Sequence, residues 1–101
     1  MKNMGNIMKQ AQQLQAKLLR IQEEVGEKTV DASAGGGMVV ATVNGKNQLI
    51  NIKIDPEAAK DVEMLQDMIV AAVSNAQEAA QEMMKQAMAS LTGGMNIPGM
   101  F

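Results

Sequence analysis

Four cations near the amino terminus, Lys2, Lys9, Lys17 and Arg20, are the residues best placed to act on a ligand. Residues 1–22 contain no acid, so this stretch carries +4 before the amino terminus is counted. At about 100° per residue, the four side chains fall within roughly 80° of one another on a helix. Ammonium and guanidinium groups in such a row neutralise phosphates. The neighbouring Gln10, Gln12, Gln13 and Gln15 could donate to phosphate oxygens. The same row also fits an ordinary solvated helix face. Overall balance opposes a duplex binder, because residues 23–101 set five lysines against eleven acids and bring the net charge to −2. Distribution matters more than the total when charge is segregated along the chain.

Other chemistry is poorly supplied. The chain has no His and no Cys, which removes the commonest general base, the thiol nucleophile and the usual zinc ligands. Ser33, Ser74 and Ser90 stand in Ala/Gly or helical surroundings with no nucleophile-elbow pattern. The expectation is a binding protein rather than an enzyme, with no cofactor, no metal and no small-molecule substrate. Neither a signal peptide nor a run of roughly 20 apolar residues is visible, so a soluble, cytoplasmic chain without membrane contact is expected. There is one aromatic, Phe101, and there are eleven Met; a core of Leu, Ile, Val, Met and Ala suits long helices packed side by side.

The elements that must position the cations follow from two periods. Met4, Ile7, Ala11, Leu14, Leu18, Ile21 and Val25 recur at steps of three and four, predicting a helix over 4–25. Gly26 then stands where helices often end. Alternation takes over in Glu27–Ala34, in Met38–Val43 and in Gln48–Ile54, predicting three strands. Gly35-Gly36-Gly37 separates the first two, and Asn44-Gly45 is the hairpin signal between the second and third. A two- or four-residue loop puts Val39, Ala41, Val43, Ile50, Ile52 and Ile54 on one face. Met38, Val40, Thr42, Leu49, Asn51 and Lys53 then share a mixed face, whereas a three-residue loop would scramble both. Asp55-Pro56-Glu57 ends the sheet. The helical period returns over 61–91 with Val62, Leu65, Ile69, Ala72, Val73, Ala76, Ala80, Met83 and Ala87 in one stripe. Residues 1–92 read as one α+β domain, and 93–101 as a flexible Gly/Met/Pro tail.

Lengths point to a partner. A helix over 61–91 would be roughly 46 Å long, whereas a seven-residue strand spans only about 23 Å. The overhang can lie partly along the first helix, and the rest needs a second copy or a bend. A homodimer is expected, its contact assigned to Met38, Val40 and Leu49 on the mixed face and to Leu65, Ile69 and Val73 on the long helix.

Several segments together resemble the YbaB/EbfC family of bacterial nucleoid-associated proteins. They are Met4-Gly5-Asn6-Ile7-Met8-Lys9-Gln10-Ala11, Gly35-Gly36-Gly37-Met38-Val39, Val43-Asn44-Gly45 and Ile52-Lys53-Ile54-Asp55-Pro56-Glu57. Leu65-Gln66-Asp67-Met68-Ile69-Val70-Ala71-Ala72-Val73 and Gly93-Gly94-Met95-Asn96-Ile97-Pro98-Gly99-Met100 complete the set. The resemblance implies a tweezer-like homodimer and DNA binding in the nucleoid with little sequence specificity, affecting nucleoid organisation or gene expression. With it, Lys2, Lys9, Gln13, Lys17 and Arg20 become the candidate contacts to double-stranded DNA. The second helix is a poorer surface, since Asp61, Glu63, Asp67, Glu78 and Glu82 oppose only Lys60 and Lys85. Without aromatics to stack bases, single-strand recognition is disfavoured. The alternative is a dimeric adaptor that docks a partner helix on its apolar seams.

Overall fold

The computed structural model describes residues 4–93; Lys2 and the segment 94–101, with most of the expected tail, lie outside them. Helix α1 spans Met4–Glu27, strands β1, β2 and β3 span Thr29–Ala34, Val39–Asn44 and Leu49–Ile54, and helix α2 spans Val62–Gly93. The strands form one antiparallel sheet in the order β1-β2-β3. A single 3-10 turn, Ala58–Lys60, links β3 to α2 and was not anticipated from the sequence. Its Ala58 is buried, and Asp61 then caps α2 by accepting the Met64 N–H at 3.1 Å, satisfying one of the free donors of the first turn.

Helix α2 lies across β1 and β2. Ala72, Ala76 and Ala80, one turn apart, are fully buried and face the equally buried Val39, Ala41 and Val43 of the central strand. Small residues on one side and β-branched residues on the other let the helix sit close to the sheet. Val30, Ala32 and Ala34 of β1 pack against the same core. The opposite sheet face is polar, with the Thr42 hydroxyl donating to Asp31 Oδ1 at 2.7 Å across the β1–β2 pair.

Connections explain the glycines. Gly35, Gly36 and Gly37 all have positive φ, at 65°, 67° and 93°, a conformation that other residues adopt only at a cost. The β2–β3 hairpin corrects the expectation from loop length. Asn44 N–H donates to the Gln48 carbonyl at 3.0 Å, closing a three-residue loop, Gly45–Asn47. The faces survive because β3 then bulges. Val43 pairs with Leu49, but Thr42 pairs with Asn51, so Ile50 is the extra residue and restores the alternation. Val39 opposes Ile54 and Ala41 opposes Ile52, which keeps these apolar residues together. Leu49 moves instead to the face of Val43, away from Val40.

Beyond the sheet, the carboxyl-terminal half of α2 runs along α1, as the length argument requires, and the chain measures 71 × 23 × 16 Å. The molecule is a small sheet carrying a two-helix arm.

Candidate nucleic-acid interface

The arm carries the predicted cations. Helix α1 is joined to the sheet only at its carboxyl-terminal end, where Val25 and Gly26 are buried and Gly45 N–H donates to the Lys28 carbonyl at 2.9 Å. Toward the tip, Val25 gives way to the half-buried Ile21, Leu18 and Leu14, and then to fully exposed turns with Ile7 61% and Met4 63% accessible. Lys9, Gln13, Lys17 and Arg20 are all exposed on α1, in a row whose Gln13 and Lys17 reach the edge of the apolar seam beside Leu14. The structure brings these four together, and Lys2 lies outside the described residues.

Charge is segregated along the long axis. Residues 4–20 hold Lys9, Lys17 and Arg20 with no acid, and the end of α2, residues 83–93, adds Lys85 with no acid. Residues 21–82 hold four lysines against all eleven acids, a local balance of −7. The negative total therefore belongs to the sheet and its surroundings, whereas the arm is basic. A phosphate polymer is attracted to the arm and repelled by the sheet end.

Helix stability does not account for this pattern. An α-helix favours acids in its first turn and cations in its last, yet α1 has neither. Its cations Lys9, Lys17 and Arg20 stand in the body of the helix, outside either terminal turn, and Glu23, Glu24 and Glu27 close its carboxyl-terminal end. No ion pair within the described residues engages Lys9, Lys17 or Arg20, the one observed being the exposed Lys60–Glu57 contact at 3.1 Å. These side chains are free to meet a ligand.

Two grooves flank the α1–α2 seam. One, about 380 Å³, is lined by Gln10, Gln13, Leu14, Lys17 and Leu91. The other, about 430 Å³, lies nearer the sheet and is lined by Leu19, Gln22, Glu23, Gly45, Lys46 and Met84. Sequence periodicity identified the cations but not these grooves, because α2's contribution to them depends on how far it runs past the sheet. Among the described residues there is no group of three or more acidic or imidazole side chains that could hold a metal.

Residues 1–95 match the model of the YbaB/EbfC DNA-binding family. The chain belongs to that family. A nucleoid-associated protein of Moorella thermoacetica is 55% identical over 98% of this chain and 97% of its own length. Another, from Pelotomaculum thermopropionicum, is 52% identical over 98% and 96% respectively. The YbaB/EbfC architecture seen here is similar to the crystal structure of the uncharacterized protein HP0035 from Helicobacter pylori, with a TM-score of 0.78. That alignment covers 89% of this chain and 97% of the other at 21% identity, and it concerns the fold alone. No helix among the described residues of this YbaB/EbfC protein is long and apolar enough to cross a membrane.

The residues assigned to a dimer contact do not share one surface. Met38, Leu65, Ile69 and Val73 pack partly against the chain's own core. Val40 is half-buried on the polar sheet face, while Leu49 is 45% exposed on the helix-bearing face. What the sequence missed is that α2 leaves β3 bare: Ile50 is 55% and Ile54 38% exposed.

Proposed function

We propose that this protein is a nucleoid-associated DNA-binding protein that holds duplex DNA through phosphate contacts made by the basic arm. The observation that carries this reading is the segregation of Lys9, Lys17 and Arg20 on an acid-free arm, with no ion pair among the described residues engaging them. Membership of a DNA-binding family supports it. Gln13 adds a neutral donor to the same surface, and Lys2, from the sequence, and Lys85, at the exposed end of α2, are candidates to extend it. Contacts of this kind carry little base information, so sequence preference is weak, and the effect on the cell is on nucleoid organisation or gene expression.

A homodimer suits this reading. The bare apolar face of β3 adjoins the flank of α2 that carries Ile69 and Val73, turned away from Asn75, which bonds β1 at Ser33. A second copy related by a two-fold axis would lay its own α2 flank there. Two arms would then flank one duplex like the jaws of a tweezer, doubling the cationic row.

Fluorescence anisotropy with a duplex over a salt series tests the function. Affinity should fall steeply with salt, and changing Lys9, Lys17 and Arg20 together to Glu should abolish binding while sedimentation shows an unchanged assembly. Binding that survives the triple change would reject this surface. The exposed Met4, Ile7 and Met8 favour an adaptor as the second reading; that protein would retain protein partners from nuclease-treated lysate and show no salt-dependent duplex binding.

A further inference from the structure

We propose that the groove lined by Gln10, Gln13, Leu14, Lys17 and Leu91 seats one sugar–phosphate unit of the DNA strand, so that the backbone enters the cleft between α1 and α2 rather than lying across the outer surface of α1. This rests on the DNA-binding reading above and goes beyond it by naming what the cleft holds.

The lining matches both halves of that unit. Lys17 offers a cation, and Gln10 and Gln13 offer neutral amide donors, all within about 10 Å along one side of α1. Those are the side-chain types that phosphate oxygens accept from. The floor is apolar, made by Leu14 from α1 and Leu91 from α2, both half-buried. A deoxyribose ring presents a face of C–H groups to such a floor and covers apolar surface that water otherwise wets. A lysine on an open helix face has no such floor beside it. The volume of about 380 Å³ lies within the range of about 300–1,000 Å³ found for small-ligand pockets.

The cleft on the other side of the seam shows why this one is chosen. That cleft is slightly larger, yet its lining includes Glu23 beside Lys46, so a phosphate entering it meets an opposing carboxylate. The Gln10–Lys17 cleft has no acid in its lining. It also borders the row of Lys9 and Arg20, which would hold the phosphates on either side.

The test fills the cleft without changing charge. Leu91→Trp should weaken duplex binding about tenfold, and the slope of log affinity against log salt should fall by about one per protomer, as if Lys17 had been removed. Lys17→Gln added to Leu91→Trp should then cost little more, whereas Arg20→Gln, outside the cleft, should remain additive. The double change Gln10→Ala and Gln13→Ala is on the exposed surface, so it tests the cleft independently of packing at Leu91; it should weaken binding several-fold with the slope unchanged. If Leu91→Trp and the double change both leave affinity and slope as in the parent, while the Lys9, Lys17 and Arg20 triple change abolishes binding, the cleft is not the seat and the DNA reading stands. If the triple change also has no effect, both fall.

Discussion

Gly45 lies directly against the carbonyl oxygen of Val25, leaving no space for a β-carbon between the β2–β3 turn and the end of α1. This contact, with the Gly45 N–H to Lys28 carbonyl bond, is the joint by which the arm is held to the sheet. Gly45→Ala would drive a methyl into backbone rather than into a side chain that can turn away. The expected loss is about 1–3 kcal/mol, read as a fall in thermal midpoint of roughly 4–8 °C for each kcal/mol. Amide exchange should quicken first around Val25–Lys28.

The glycine turn between β1 and β2 separates two costs. Gly36 has positive φ and open space where a methyl would stand, whereas a methyl on Gly35 would strike the Met68 sulfur as well. Gly36→Ala should cost about 1–2 kcal/mol for the left-handed backbone alone. Gly35→Ala should cost more, because Met68 is part of the core and must move. Urea unfolding of the two variants measures the difference, and equal losses would show that Met68 yields freely.

The charge pattern of α1 yields a prediction in which stability and binding rise together. Glu24 is exposed at the carboxyl-terminal end of α1 and, at about 100° per residue, continues the row of Lys9, Lys17 and Arg20. Glu24→Lys replaces a charge the helix dipole opposes with one it favours, a gain of about 0.5 kcal/mol. The row also lengthens by one cation, so DNA affinity should increase and the salt slope should steepen by about one per protomer. Thermal melting and a salt-titrated binding curve report the two effects separately. A rise in stability without a change in slope would mean that DNA does not reach this turn.

Much of the fold is local, and that part was legible. The three-and-four spacing from Met4 to Val25 and the alanine-rich stripe from Ala72 to Ala80 depend only on helical period. The strand faces followed from alternation in the same way. The hairpin was not fully legible, because Asn44-Gly45 predicted a turn for the wrong reason. The positive φ falls on Asn47, at 68°, and Gly45 is needed for its closeness to α1. Asn44 acts through its side chain, whose Oδ1 accepts the Lys46 and Gln48 N–H groups at 3.0 and 2.9 Å. No spacing rule reports such a network, or the bulge at Ile50 that moves Leu49 to the other face. The cationic row was visible because charge needs no partner within the chain. The cleft beside it was not, since Leu91 and Lys17 are brought together only by the length of α2.

The bare face of β3 gives the last prediction. Ile50 and Ile54 are exposed in the single chain, so Glu at both positions should leave the monomer folded. If a second copy covers this face, the same two carboxylates would be buried without partners. That should weaken the dimer by about 100-fold or more, about 3 kcal/mol. Val40 provides the contrast. It lies on the opposite sheet face, paired across the ladder with Lys53, so Val40→Glu gains a neighbouring opposite charge and should leave the dimer intact. Sedimentation equilibrium of both variants decides between the two sheet faces. Monomer from Val40→Glu together with dimer from the Ile50 and Ile54 variant would put the contact on the polar face. The tweezer would then close with its arms on the other side of the sheet, and the Lys9–Arg20 rows of the two copies would no longer flank a common duplex.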